Sequence, residues 1–222
     1  MSDMLDLSLY ICVGPSHCPE GQIVDVARQA AAGGVTLVQL RDKTSGTREM
    51  IETARALVAA LTPLGVPLLI NDRVDVALAS GAAGIHVGQQ DMTVEDARRL
   101  IGPDAIIGLT VKNERQANEA PVDLLDYVSF GGVFETTSKK NPDPPIGLDG
   151  LRHLAGIVRE RCKLPLCAIA GISADNAAGV IEAGVDGVCV VSAITQSGQP
   201  EAASRQLAGI VRDAGAAKGA AV

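Results

Sequence analysis

Two aspartates, Asp72 and Asp91, each follow a short apolar run in the stretch INDRVDVALASGAAGIHVGQQD, residues 70–91. A carboxylate at the end of a buried segment is costly unless a cation or hydrogen bonds compensate its charge. Carboxylates on neighbouring strand ends suit Mg²⁺, which binds one or two of them and fills its remaining positions with water and phosphate oxygens. General acid–base catalysis by the pair and capping of the following helices are the alternatives. Capping accounts for one aspartate but not for the pair with Asn71 beside it, so we predict a Mg²⁺ site.

A second set of polar residues, Gln39, Arg41 and Lys43, alternates along the run TLVQLRDK. Residues at positions i, i+2 and i+4 of a strand share one face of the sheet. If that face looks into a ligand site, two cations and an amide meet one anionic ligand. The alternative is a solvated strand end with Gln39 buried and hydrogen-bonded. A strand covered by helices gives a glutamine little other use, so we expect a binding site.

The stretch FETTSKKNPDPPIGLDG, residues 134–150, combines hydroxyl side chains with lysines. Thr136 and Ser138 offer donors to a phosphate or diphosphate, and Lys139 can stabilise a developing negative charge. A plain surface loop is the alternative. Lys139 as a Schiff-base nucleophile is disfavoured, because such a lysine needs a desolvated pocket to lower its pKa.

Two further apolar runs are followed by AIAGIS, which contains Gly171, and by VVSAI, which contains Ser192. If the fold is a barrel, these positions are ones that frequently bind phosphate through backbone N–H groups. A glycine there permits close approach of the backbone. A glycine at a strand end taken alone indicates only a turn.

The elements that must position these residues are eight apolar runs, which alternate with stretches whose apolar residues recur at helical spacing. Near-continuous apolar runs separated by helices are typical of a parallel sheet covered on its outer face. Eight such units in 222 residues predict a (β/α)8 TIM barrel, with a doubly wound open sheet as the alternative. Because every polar tip follows its run, the candidate residues would gather at one rim. The runs are LSLYICVG, TLVQLRD, PLLIND, GIHVG, AIIGLTV, YVSFGGVF, PLCAIAGI and GVCVVSAIT.

The composition of the chain indicates which kinds of partner it could bind. The formal net charge of −7 and the absence of Trp argue against binding to nucleic acid or to an anionic membrane, and favour small-molecule partners. The acidic start lacks the basic residues of a secretory signal, and no apolar run approaches the roughly 20 residues of a membrane helix. We therefore expect a cytoplasmic protein with reduced cysteines, folded as one domain over 1–222 with a flexible tail over 213–222. A homo-oligomer is left open.

The three histidines carry no metal-ligand spacing. His86 lies within the fourth run, where a hydrogen-bonded core residue is the expected role. His17 has the context of a loop residue and His153 that of a helix-surface residue. The sequence also contains no P-loop and no Ser-His-Asp arrangement that would indicate a nucleophilic enzyme.

Taken together, the ordered motifs resemble the thiamine-phosphate synthase family, whose members are also called thiamine-phosphate pyrophosphorylases. The resemblance covers most of the sequence, from LYICVG to VVSAIT. It implies a (β/α)8 barrel that uses Mg²⁺ to join a hydroxymethylpyrimidine diphosphate to a hydroxyethylthiazole phosphate, forming thiamine phosphate and diphosphate through a carbocation-like pyrimidine. The motifs that carry it are VQLRDK, LLINDRVDVALASGAAGIHVGQQDM, IIGLTVKN, DYVSFGGVFETTSKKN, PLCAIAGI and GVCVVSAI.

The resemblance also implies roles for individual residues. The residues implied to bind the pyrimidine diphosphate are Gln39, Arg41, Lys43, Asn71, Thr110 and Lys139. The residues implied to bind Mg²⁺ are Asp72 and Asp91. The residues implied to bind the thiazole phosphate are Thr136, Ser138, Gly171, Val191 and Ser192. The implied catalytic set is Arg41, Lys43, Lys139 and Thr110.

This sequence departs from the family pattern at four positions. Thr110 stands where the family usually has Ser, Ser138 where Thr is more usual, and Gly132 where Pro is frequent. Ala170 stands where a second glycine is common, and alanine tolerates a positive φ poorly.

Three other functions remain as alternatives. A related barrel that isomerises thiazole phosphate would need neither the paired acids nor the QLRDK set. An aldolase would form a Schiff base on Lys139. A sensor would bind thiazole phosphate without turnover.

Overall fold

The computed structural model describes residues 5–136 and 143–220. Within them, eight parallel strands close into a barrel in which each strand pairs with its sequence neighbours and the last pairs with the first. Each of the eight predicted runs contains one strand, so the (β/α)8 prediction is confirmed and the doubly wound alternative is wrong. The strands are β1 (Leu9–Val13), β2 (Leu37–Leu40), β3 (Leu68–Asn71), β4 (Gly84–Val87), β5 (Ile106–Val111), β6 (Tyr127–Gly131), β7 (Leu166–Ile169) and β8 (Gly187–Val190).

Helices follow the strands and cover the outside of the barrel. Among the described residues, none of them combines the length and the apolar character needed to cross a bilayer. Short 3₁₀ turns lie at Thr62–Leu64 and Val122–Leu124. The helices are α1 (Ile23–Ala32), α2 (Thr47–Leu61), α3 (Val74–Ser80), α4 (Val94–Ile101), α5 (Glu114–Glu119), α6 (Gly147–Arg161), α7 (Ala177–Glu182), α8 (Ser192–Thr195) and α9 (Pro200–Ala220).

The alternation of side chains along each strand divides the core into two layers. Ile11 faces outward and belongs to the large aliphatic cluster between strands and helices. Its neighbours Tyr10 and Cys12 face inward, into a smaller cluster that also contains Tyr127. All five cysteines are free thiols. The inner layer is therefore the floor on which a ligand at the carboxyl end of the barrel would rest.

Helix α9 continues to Ala220 and so extends into the segment 213–222, for which the sequence predicts a flexible tail. Ala214 is buried, and the Lys218 amine donates a hydrogen bond to the Val185 carbonyl. The helix packs against α1 and α7. Tertiary packing thus overrides the weak helix propensity of the glycines in this segment.

Candidate active site

A cavity of about 560 Å³ opens at the carboxyl ends of the barrel strands. This volume is in the range typical of small-molecule sites. In a barrel of this type, the loops that follow the strands form the active-site face. Eight residues predicted from the sequence line the cavity, namely Gln39, Arg41, Asn71, Thr110, Thr136, Gly171, Val191 and Ser192.

Gln39 and Arg41 reach the cavity wall from β2 and from the residue just beyond it. The Gln39 side chain is buried, and its amide donates a hydrogen bond to the Tyr10 hydroxyl. The Arg41 backbone N–H donates to the Val13 carbonyl at 2.8 Å. A Cβ on Gly14 would lie 2.0 Å from the Arg41 carbonyl oxygen, so only glycine allows the end of β1 to approach this closely.

Lys43, Asp72 and Asp91 lie at the rim, beside the cavity wall. The Lys43 amine forms an ion pair with Asp72, and the Asp91 carboxyl group lies beside that of Asp72. Burial raises the pKa of Asp72; Asp91 raises that pKa too, although the Lys43 ammonium acts in the opposite direction. The strand alternation predicted that Lys43 would share the cavity wall with Gln39 and Arg41. In the structure Gln39 and Arg41 line the cavity, and Lys43 lies at the rim beside it.

The capping alternative does not hold for either aspartate. Arg73 is the residue that precedes α3, and Thr93 is the residue that precedes α4. The Thr93 hydroxyl accepts the hydrogen bond from the Asp96 N–H at 3.2 Å, so α4 is already capped. Asp91 instead accepts from the Gly88 N–H within its own turn, at 2.8 Å.

The acidic pair fits a hard divalent cation. Two carboxyl groups in contact, one of them largely buried, are held where a nearby positive charge would favour their ionised forms. Across residues 5–136 and 143–220 there is no group of three or more His, Cys, Asp and Glu side chains able to hold a metal. The described part of the protein would thus supply two carboxylates and leave the other positions to water and phosphate oxygens, as is usual for Mg²⁺.

The turn after β7 keeps an unusual backbone despite its alanine. Ala170 has φ 99° and Gly171 has φ 65°. The Ala170 carbonyl accepts a hydrogen bond from the Phe134 N–H at 3.1 Å. A Cβ on Gly171 would lie 2.4 Å from the Glu135 carbonyl oxygen, so this position requires glycine for space as well as for conformation. The backbone at Ala170 therefore has a positive φ although this residue is not a glycine.

Three residues predicted for the thiazole phosphate lie near this turn on the cavity wall. Val191 and Ser192 follow β8, and Ser192 begins α8. Thr136 is the last residue described before the gap in the described chain. Ser138 and Lys139 lie outside the described residues.

Inside the barrel, five polar side chains are connected by hydrogen bonds, and we call them the interior network: Gln39, Tyr10, Tyr127, His86 and Thr110. The two tyrosine hydroxyls are 3.0 Å apart. His86 Nδ1 lies 2.7 Å from the Tyr127 hydroxyl, and His86 Nε2 lies 2.6 Å from Thr110 Oγ1. The expected role of His86 as a hydrogen-bonded core residue agrees with these contacts, but the histidine also lines the cavity.

Sequence reasoning missed several residues of the cavity wall. His17 is a loop residue, as the sequence indicated, but it is also buried and lines the cavity. Burial lowers the pKa of His17, and the nearby Arg41 guanidinium lowers it further. Lys112 also lines the cavity, with its amine 3.5 Å from Asp143. Its place in the polar tip after the fifth run could have identified Lys112, whereas nothing in the loop sequence indicated the burial of His17.

Comparison with known proteins agrees with this geometry. A family model described as thiamine monophosphate synthase matches residues 9–194. The thiamine-phosphate synthase of Agrobacterium fabrum is 50% identical over 191 residues, which cover 86% of this chain and 87% of the relative. The thiamine-phosphate synthase of Chloroflexus aurantiacus is 47% identical over 211 residues, 95% of each chain.

A solved structure shows the same architecture. The thiamine phosphate pyrophosphorylase from Pyrococcus furiosus superposes with a TM-score of 0.83 at 37% identity, over 95% of this chain and 98% of that one. The matched segment runs from the first strand of the barrel to α8, and so spans every strand whose end contributes to the cavity. The chain therefore belongs to the thiamine monophosphate synthase family.

Proposed function

We propose that the cavity and its rim join a hydroxymethylpyrimidine diphosphate to a hydroxyethylthiazole phosphate, with release of diphosphate and formation of thiamine phosphate. Membership of the family makes the chain an enzyme, a transferase of thiamine phosphate synthesis. The observation that supports the specific substrates is the pair Asp72 and Asp91 beside Lys43, at the mouth of a cavity that Arg41 lines. Carboxylates for a metal and cations for phosphates are thereby brought to one edge.

The substrates would occupy two sides of the cavity. The pyrimidine would lie against Gln39 and Thr110, with its diphosphate toward Arg41 and Asn71. The thiazole phosphate would lie toward Gly171 and the residues after β8. Lys139, outside the described residues, stays a predicted ligand of the diphosphate, and Ser138 a predicted ligand of the thiazole phosphate.

The reaction needs charge stabilisation more than a nucleophile from the protein. As the C–O bond breaks, its electron pair leaves with the diphosphate, and the electron-rich aminopyrimidine supports the resulting cation at its methylene carbon. The thiazole nitrogen then donates its lone pair to that carbon, forming the new C–N bond. Arg41 and Lys43 would bind the departing diphosphate more strongly as its negative charge grows, which lowers the barrier.

Mg²⁺ would be held by Asp72 and Asp91, and the chemistry that it supplies when bound is neutralisation of the phosphate charge. The ion pair between Lys43 and Asp72 would keep the lysine beside the same diphosphate. A cytoplasmic location also stays a prediction.

Replacing either aspartate of the pair tests the proposal. Asp72→Ala and Asp91→Ala should each lower turnover at least about a hundredfold, because each would remove one of the two carboxylates that hold the metal. The measurement is formation of thiamine phosphate from both substrates over a titration of Mg²⁺. Both variants should need more Mg²⁺ for half-maximal rate.

The matched control is Asp96→Ala, which removes an exposed carboxylate that pairs with Arg99 on α4. This variant should keep wild-type turnover and the wild-type Mg²⁺ requirement. Near-normal turnover of both Asp72→Ala and Asp91→Ala would contradict the metal site. A folded wild-type sample that forms no thiamine phosphate would overturn the proposed function.

A further inference from the structure

We propose that the interior network fixes the direction of its own hydrogen bonds, so that Thr110 presents its hydroxyl proton to a ring nitrogen of the bound pyrimidine. Tyr127 and His86 are then positioning residues for that contact. This inference rests on the proposed function, because it assigns one hydrogen bond of the pyrimidine site.

The network is a built feature of the barrel. Its side chains come from β1, β2, β4, β5 and β6, and four of the five are buried. The ring of Tyr127 stacks on that of His86, with centroids 5.5 Å apart, and meets the ring of Tyr10 edge-on at 6.1 Å. A Cβ on Gly108 would lie 2.0 Å from Tyr127 Cζ, so a glycine in β5 makes the room that the tyrosine ring occupies.

The order of donors that we propose starts from the one member whose contacting group can only donate. The Gln39 amide nitrogen has protons and no acceptor orbital, so the Tyr10 hydroxyl must accept from it. Tyr10 then has its own proton for the Tyr127 hydroxyl, and Tyr127 has its proton for His86 Nδ1. Burial raises the pKa of both tyrosines, which keeps these phenols protonated.

This proposed order implies one tautomer of His86 and one role for Thr110. Because Nδ1 accepts from Tyr127, the ring proton of a neutral His86 is on Nε2, which donates to Thr110 Oγ1. The hydroxyl of Thr110 thus accepts from the histidine and does not donate to it. Its proton remains for a ligand in the cavity that the residue lines. The ligand group that matches a hydroxyl donor is a lone pair, such as that of an aromatic ring nitrogen.

The tautomer can be measured on the ligand-free protein by nitrogen NMR of ¹⁵N-labelled imidazole. The sequence has three histidines, so His86 is the single histidine of a double variant with His17→Gln and His153→Gln. We expect a proton on Nε2 and none on Nδ1. A proton on Nδ1 would overturn the inference, because the order would then be reversed and Thr110 would accept from the ligand.

Kinetics of two variants test the contact itself. Thr110→Val and Tyr127→Phe should each raise KM for the pyrimidine diphosphate about tenfold. The first variant removes the hydroxyl that donates to the pyrimidine, and the second removes the hydroxyl that donates to His86 and so positions Thr110. KM for the thiazole phosphate should not change. Thr110→Ser, which keeps the hydroxyl, should restore the KM for the pyrimidine diphosphate. Equal shifts of both KM values, or no rescue by serine, would show a structural role and overturn the proposal.

Thr36→Val is the control, because it also removes a threonine hydroxyl bound inside the fold, at 3.2 Å from the Leu9 carbonyl. This threonine lies before β2, at the end of the barrel opposite the cavity, so neither KM should move. Should Tyr127→Phe not fold, the Thr110 variants and the tautomer still decide the question. A wild-type enzyme that makes no thiamine phosphate refutes the proposed function, while the NMR measurement continues to test the network.

Discussion

Two residues other than glycine have a positive φ among the described residues, and both lie at the active rim. Asp72 has φ 63° and Ala170 has φ 99°. Such conformations cost on the order of 1–3 kcal/mol and persist where surrounding contacts hold them. The Asp72 N–H donates to the His86 carbonyl at 2.9 Å, and the Ala170 carbonyl accepts from Phe134. The strain is thus concentrated where the side chain of Asp72 and the backbone of Ala170 must be aimed at a ligand.

Replacing Ala170 by glycine should stabilise the protein. Glycine adopts a φ of 99° without the steric cost of a Cβ, so the free energy of unfolding should rise by about 1 kcal/mol. Urea unfolding of the two proteins measures this difference. The control is Ala56→Gly in α2, which should lower stability by roughly the same amount because glycine disfavours a helix interior. Destabilisation by both changes would mean that Ala170 carries no strain.

His17 should make the protein less stable in acid. Its pKa is lowered from 6.5 by burial and by Arg41, so the unfolded state binds a proton before the folded state does. Stability is therefore present above the unfolded pKa and falls as the pH drops below it. His17→Gln should remove part of this loss when unfolding is compared from about pH 7.5 to about pH 5.

The control for this pH experiment is His153→Gln, which removes an exposed histidine of α6 that contacts Glu114 of α5. This control tests whether the loss of any histidine side chain reduces the acid sensitivity of the protein. Acid sensitivity that decreased equally in both variants would contradict a special contribution from His17.

Some individual residues could be predicted from the sequence and others could not. Asn71 and Asp72 were found because polar side chains after an apolar strand must lie at its carboxyl end. Tyr10 and Tyr127 were not found, because each occupies an inward position of an apolar run and its sequence context is that of an ordinary core residue. Their hydroxyls meet only across the closed barrel, a contact that depends on strand register and not on local pattern.

At the scale of elements, a repeated device ties the amino ends of the strands. Asp126 precedes β6 and accepts the Ile107 N–H at 2.8 Å, while pairing with Arg98 of α4. Asp186 precedes β8 and accepts the Leu166 N–H at 2.8 Å. Arg159 of α6 pairs with Asp186 in the same way. Each aspartate thus joins two strands and a helix at the end of the barrel opposite the cavity.

The types and order of the elements could be predicted, because hydrophobic periodicity is a local signal. The extent of α9 could not. Its buried positions Leu207, Val211 and Ala214 continue the apolar stripe into a segment rich in glycine and alanine. A Cβ on Gly33 would lie 2.6 Å from Ser204 Cβ, so α1 ends on a residue small enough to admit α9. Whether such a weak helix forms depends on its neighbours, which composition does not reveal.

At the scale of the whole molecule, closure of the barrel depends on a glycine at the junction of its last and first strands. A Cβ on Gly187 would lie 1.7 Å from the Leu7 carbonyl oxygen. This oxygen belongs to the backbone and cannot move aside without displacing β1 from β8. The junction thus joins the two ends of the sheet through main-chain contact.

Gly187→Ala should therefore destabilise the entire fold, by about 2 kcal/mol or more, because overpacking against a backbone leaves no cheap relaxation. Urea unfolding followed by circular dichroism measures the change. Gly215→Ala is the matched control, since nothing lies within 4 Å of a Cβ at that position of α9. The control should gain up to about 1 kcal/mol from helix propensity. Equal stability of Gly187→Ala and wild type would show that the junction can open without cost.

The amino end of the barrel holds the strands together, whereas the carboxyl end forms the site, and this division has an evolutionary consequence. Asp126 and Asp186 fasten the amino ends, whereas the strained Asp72 and Ala170 lie at the carboxyl ends. A rim loop can therefore be exchanged or lengthened while the strands beneath it stay fastened. Directed evolution aimed at the rim should find new substrate preferences without losing the scaffold. The catalytic repertoire and the architecture of this molecule can accordingly diversify at separate rates.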